Sequence, residues 1–241
     1  MAKSHPTRGF DEYYKRIRRE GLQWNRKRVL RVYRNMKLKL RRKQKKRIIT
    51  RVKSPLENPA QLNECWSIDF MSDVLTDGRK VRILNVIDDC NREALVTDPG
   101  LNYPARQVVE TLEHLEEEIG LPQYIRCDNG PEFISKVFMS WCQSKHIEIK
   151  YTQPGKPMQN GYVERFNRFY REDILDAYYF NDLYQLRALS EHWRMDYNQN
   201  HPHDSLGNKS PQEFMPRFGD QLKLIIKSER NNNYLSNLEV S

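Results

Sequence analysis

Two hydrophobic periods divide this chain. Near the start, FDEYYKRIRR places Tyr13, Tyr14 and Ile17 on one helical stripe that ends at Gly21. After the short connection GLQW, Asn25 is placed to cap a second helix, NRKRVLRVYRNM, with Val29, Val32, Tyr33 and Met36 at helical spacing. The pattern then changes to alternation. CWSIDFMS and KVRILNVIDD read as strands joined by the turn LTDG, and EALVTD as a third, so an antiparallel meander is expected. Pro104 opens a helix that closes near Gly120 and turns Val108, Val109, Leu112, Leu115 and Ile119 inward. QYIRCD and IEIKYT read as two further strands around a helix from Glu132 to about Lys145, and helices follow over 158–175 and 182–198. The succession fits a mixed five-stranded α/β sheet covered by helices on both sides.

Charge separates these regions. Of the chain's 241 residues, the first 60 hold 21 Lys or Arg against four acids, a net of +17, and the rest nets −8. A basic arm on a separately folded, mildly acidic body suits a polyanion partner. The second helix carries Arg26, Lys27, Arg28, Arg31 and Arg34 and, with the first, resembles a helix-turn-helix fragment that lies along DNA. RRKQKKR (41–47) adds six positive charges with little acid nearby, which suits phosphate contact. The expected division is a basic helical arm over 1–53, a Pro-containing linker over 54–64, a core over 65–218 and a tail over 219–241, whose last twenty residues have the pattern of a hairpin.

Cysteine usage argues against structural zinc, since Cys65, Cys90, Cys127 and Cys142 form no CxxC pair and each sits in an apolar run. Reduced, buried thiols and a soluble, cytoplasmic protein are expected, with no signal region and no segment near the roughly 20 apolar residues of a membrane helix. His201 and His203 in HPH have no third ligand at metal-site spacing.

Three acids stand out. Strand alternation puts Ser67, Asp69 and Met71 opposite Trp66, Ile68 and Phe70, which leaves an Asp in mid-strand where it is disfavoured. Asp128 ends a strand at the turn NGP into a helix, where open sheets place ligands, although a turn-forming or capping role would explain it equally well on its own. Glu164 shares a helical face with Asn160, Arg168 and Arg171, while Val163, Phe166, Tyr170 and Ile174 form the buried stripe. Asp73, Asp77, Asp88, Asp89 and Glu132 are explained by turns and helix starts.

Asp69, the DNGPEF motif and the 35 residues between Asp128 and Glu164 resemble the catalytic core shared by retroviral integrases and bacterial DDE transposases. NGYVERFNRFYREDIL and YNQNHPHDSLGNKSPQEF resemble one group within it, the insertion-sequence transposases made from two overlapping reading frames, of which this chain is similar to the second-frame product. The resemblance covers about two-thirds of the chain. It implies an RNase H-like fold and a nucleoid-associated enzyme that cuts and joins DNA at element ends through Asp69, Asp128 and Glu164. Lys156, Arg168 and Arg171 join the arm as DNA-contact candidates. Two carboxylates about 4 Å apart repel by about 4 kcal/mol at an effective dielectric near 20. Hard divalent ions, Mg²⁺ or Mn²⁺, relieve that repulsion, and two ions per site suit displacement at phosphorus. Double-stranded DNA, a homo-multimer and a first-frame partner or fusion are the implied associates. The His and Cys zinc module of retroviral integrases is lacking, as are leucine heptads. A hybrid-cutting nuclease on the same fold and an inactive DNA-binding regulator are the rival readings.

Overall fold

A computed structural model describes residues 9–38, 59–152 and 160–217. The basic run 41–47, most of the linker, Lys156 and the tail over 219–241 lie outside the described residues.

Two ten-residue helices come first, α1 (Phe10–Arg19) and α2 (Arg26–Asn35), and the Asn25 side chain accepts from Lys27 N at 2.8 Å to cap α2. Tyr13, Val29 and Tyr33 are buried between them, whereas Val32 and Met36, expected on the stripe, are exposed. Helices this short are marginal in isolation, and α1 is not isolated. It meets the C-terminal turn of the later helix α6 (Leu183–Asn200), where Arg16 reaches Asp196 at 3.3 Å and Arg19 donates to the carbonyls of Asn200 and Gln199, and just beyond it Lys15 pairs with Asp204. Arg19 also pairs with Glu213 at 2.7 Å. α1 is thus clasped to the body, where acids of the body pair with its cations. The α2 cations Arg26, Lys27, Arg28, Arg31 and Arg34 remain exposed.

The sheet follows as expected: β1 (Cys65–Val74), β2 (Lys80–Asp88), β3 (Ala94–Gly100), β4 (Tyr124–Cys127) and β5 (Glu148–Tyr151), in the order β3-β2-β1-β4-β5. β1, β2 and β3 form the antiparallel meander, and β4 and β5 add in parallel beside β1. Alternation sorts the two faces. Trp66, Ile68, Leu84 and Val86 pack under α3 (Ala105–Ile119) and α4 (Lys136–Ser144), and Met71, Val81, Ile83 and Ile87 pack under α5 (Gly161–Tyr170) and α6. Fully burying each such side chain contributes about 1.5–3 kcal/mol. This arrangement is the RNase H-like fold.

Three local expectations are corrected. α4 begins at Lys136 rather than Glu132, because Ser135 accepts from Phe138 N and caps it there. A turn explains Asp88 and Asp89 only in part: Asp88 accepts from Cys90 N at 2.9 Å but is fully buried against Arg217 at 2.6 Å, and Asp89 is buried against Arg126 at 2.7 Å. Burial raises the Asp89 pKa while Arg126 opposes it. Their partners lie 129 and 37 residues away, so no local pattern reveals them. The four cysteines are free and buried, as expected. Among the described residues no helix is long and apolar enough to cross a membrane.

Candidate functional site

Asp69 sits in the middle of β1 directly opposite Asn85 of β2, both on the sheet face that α5 covers. Its Oδ1 accepts from Phe70 N at 2.8 Å and its Oδ2 from Asn167 Nδ2 at 2.8 Å. Asn167 in turn accepts from Asn85 Nδ2 at 2.7 Å, which fixes which end of its amide faces the acid. Burial, with the negative charges of Asp128 and Glu164 added, raises the Asp69 pKa from 3.8 to about 6, while the Phe70 and Asn167 hydrogen bonds oppose the rise.

Asp128 follows the last residue of β4, beside β1, and its Oδ1 accepts from Gly130 N at 2.9 Å. A Cβ at Gly130 would stand 2.9 Å from that same oxygen, so the turn requires the residue without one. Glu164 lies in the first turn of α5, one helical turn before Asn167, on an exposed position. Desolvation raises its pKa and Arg168 opposes the rise. The charges of Asp128, past the end of β4, and of Glu164, on α5, are both felt at Asp69. Among the described residues, no group of three or more His, Cys, Asp or Glu stands close enough to hold a metal ion as arranged here.

Around the acids, Arg168 is exposed on the Glu164 face of α5. Arg171 begins a π-helical turn (Arg171–Leu175) that wraps Ile174 and Leu175 inward. Its Nη2 donates to the Ser72 carbonyl at 3.0 Å and its Nη1 lies 3.7 Å from Asp73 and 3.8 Å from Asp176, so it ties α5 to the end of β1 rather than pairing with Glu172 or Asp173. His201 and His203 belong to an aromatic cluster with Tyr197, their rings 4.9 Å apart, and His201 Nδ1 lies 3.5 Å from Glu12 on α1. Burial, with the charges of His201, Arg92 and Arg165 added, lowers the His203 pKa to about 2.

Asn85, Asn167, Arg82 and Glu132 were not singled out from sequence. A signal existed for two of them, since Asn167 is three residues from Glu164 on the same helical face and Asn85 is a polar residue in the middle of an apolar strand. Glu132 reads in sequence as a helix start. Its carboxylate instead pairs with Arg82 of β2.

The Integrase core domain family matches residues 59–157, and a second family of the same description matches residues 145–211. The insertion element IS407 uncharacterized 31.7 kDa protein of Burkholderia multivorans is 37% identical over 208 residues, covering 86% of this chain and 74% of that protein. The insertion element IS476 uncharacterized 39.2 kDa protein of Xanthomonas euvesicatoria is 34% identical, with 92% of this chain and 64% of that protein covered. Transposase InsD for insertion element IS2D of Escherichia coli is 29% identical, with 87% and 74% covered. Among solved structures, a chain of the simian T-cell lymphotropic virus intasome superposes with a TM-score of 0.53 at 17% identity, covering 80% of this chain and 68% of that one, a likeness of fold. On the fold, the matched cores and the identity to IS407, the chain belongs to the bacterial insertion-sequence DDE transposases built on an integrase core domain.

Proposed function

We propose that the chain is a metal-dependent polynucleotidyl transferase that nicks DNA at the ends of an insertion sequence and joins the freed 3′-hydroxyl to a second strand, with Asp69, Asp128 and Glu164 as its catalytic acids. The observation that carries the reading is the integrase-core match spanning all three acids, supported by the hydrogen bond that ties Asp69 to Asn167, one helical turn from Glu164. A carboxylate that costs free energy to ionise beside two others suits a cation, and an all-oxygen donor set suits Mg²⁺ or Mn²⁺. Held by Asp69, Asp128 and Glu164, two such ions would activate the attacking oxygen and stabilise the leaving one.

The chain's own residues prepare that site. Asn167 and Phe70 N orient the two oxygens of Asp69, and Gly130 N orients Asp128. Arg168 and Arg171, and by resemblance Lys156, are the proposed DNA contacts. The exposed cations of α2 are the proposed phosphate contacts of the 1–53 arm, linked through 54–64 to a catalytic core over 65–218. The assembly implied is a homo-multimer pairing two DNA ends, with a first-frame partner or fusion aiding end recognition.

The test uses the full chain on duplex DNA carrying the element's terminal repeats. Mg²⁺-dependent nicking that disappears in Asp69→Asn, Asp128→Asn and Glu164→Gln, with DNA binding retained, supports the assignment. Nicking retained by all three overturns it.

A further inference from the structure

Asp69 lies in β1 and Asp128 just past the end of β4, and a polar and aromatic brace joins their flanks. Arg82 of β2 lays its guanidinium 4.0 Å over the ring of Phe70, the residue after Asp69. The same guanidinium pairs with Glu132, four residues after Asp128, and that side chain is 13% exposed. Phe70 stacks on Phe133 with ring centroids 5.4 Å apart and planes 23° from parallel. Phe133 is 1% exposed and lies edge-on to Phe138 of α4, while the Tyr151 hydroxyl of β5 donates to its carbonyl at 2.8 Å. The segment after Asp128 is therefore anchored on one side to α4 and β5, and on the other, through Arg82, to the backbone that carries Asp69.

The second oxygen of Glu132 is also informative. It is buried without a hydrogen-bond partner and lies 3.6 Å from the point where a Gly130 Cβ would stand, a point itself 2.9 Å from Asp128 Oδ1. An unsatisfied buried carboxylate oxygen is costly and is kept when something else completes it or when the placement of its neighbours needs it.

We infer that Arg82 and Glu132 are a positioning pair for the catalytic acids, holding the Asp128 turn against the Asp69 strand. The inference rests on the proposed role of Asp69, Asp128 and Glu164. Neither member of the pair is itself a catalytic residue. Arg82 is suited to the task by its planar fork, which stacks on Phe70 while donating to Glu132; a lysine keeps the charge but loses the stacking.

The experiment measures Mn²⁺ affinity of the full chain without DNA by titration calorimetry, together with melting in EDTA and the Mg²⁺ dependence of nicking. Glu132→Gln and Arg82→Gln are each expected to weaken Mn²⁺ binding by about 10-fold or more, in the range seen for groups that orient metal ligands. The double variant is expected to lose no more than either single one, because one interaction is removed in all three. Arg82→Lys should fall between, and nicking should need correspondingly more Mg²⁺. A variant that melts in EDTA like the unaltered chain yet binds Mn²⁺ weakly supports positioning. Unchanged Mn²⁺ affinity in the single variants, or losses that add in the double one, overturns the pair's role and leaves the three-acid assignment standing. An unaltered chain that binds no Mn²⁺ overturns both.

Discussion

Asn167 Nδ2 donates to Asp69 Oδ2 at 2.8 Å, and this bond joins α5, which carries Glu164, to β1, which carries Asp69, across 98 residues of sequence. Asn85 holds the Asn167 amide from the other side at 2.7 Å, so a buried bridge and support hold a half-buried acid. The arrangement makes the orientation of Asp69 a consequence of how α5 docks on the sheet.

Asn167→Ala is expected to lower Mg²⁺-dependent nicking by about 10- to 100-fold, the usual cost of losing a group that orients a metal ligand. Asn85→Ala should give a smaller loss of the same kind, and the double variant little more than Asn167→Ala alone. Single-turnover nicking across a Mg²⁺ series checks this, and additive losses would contradict the bridge.

Asp69 predicts a pH dependence in EDTA. Its folded pKa of about 6 lies above the ordinary 3.8, so the folded chain holds this proton more tightly than the unfolded one. That contribution to stability is fully present below the ordinary value and is lost as pH rises through about 6. Asp69→Asn should therefore melt higher than the unaltered chain above that window, and the difference should shrink below it. Melting curves at a series of pH values decide it; a difference constant across the window would contradict the shift.

Gly130→Ala tests the turn after Asp128. The added methyl would stand 2.9 Å from Asp128 Oδ1 and must displace it from Gly130 N. Nicking should fall steeply while duplex DNA binding, measured by fluorescence anisotropy, stays near that of the unaltered chain.

His203 predicts acid sensitivity of the opposite sign. Its folded pKa of about 2 lies below the ordinary 6.5, because burial and the neighbouring His201, Arg92 and Arg165 oppose a further positive charge, with Asp204 in weak opposition to them. Its contribution to stability is full above 6.5 and is lost progressively as pH falls below it. His203→Gln should remove that part of the acid lability, which melting between pH 7 and 4 will show (about the span over which an unfolded histidine takes up its proton).

The α2 cations predict the salt dependence of DNA binding. Since α1 is engaged on α6, replacing Arg28, Arg31 and Arg34 by Gln perturbs the body less than deleting the arm. For every phosphate that a replaced arginine had neutralised, the slope of log affinity against log salt should become shallower by about 0.9. An unchanged slope would remove these residues from the interface.

Much of this was legible in the chain. The five strands, the cap at Asn25, the helix start at Pro104, and the sorting of β1 into an apolar and an acid-bearing face all follow from local period and turn chemistry. Motif spacing drew attention to Asp69, Asp128 and Glu164 together. The start of α4 was misplaced because DNGPEF continues into a helical pattern, while the Ser135 cap that sets the true start looks like an ordinary surface serine in sequence. The clasp of α1 on α6 was also hidden: excess positive charge identified a polyanion-binding arm, but its engagement with Asp196, Asp204 and Glu213 depends on which acids the folded body brings near.

By itself the chain determined which residues alternate, which helices are amphipathic and where positive charge gathers, since each of these is set by neighbours a few positions apart. Only tertiary structure decided which polar side chains complete one another: Asp69 with Asn167, Arg82 with Glu132, Asp88 with Arg217. The physical reason is that a buried donor or acceptor must find its partner wherever the packed strands and helices place one, and that place bears no fixed relation to sequence separation.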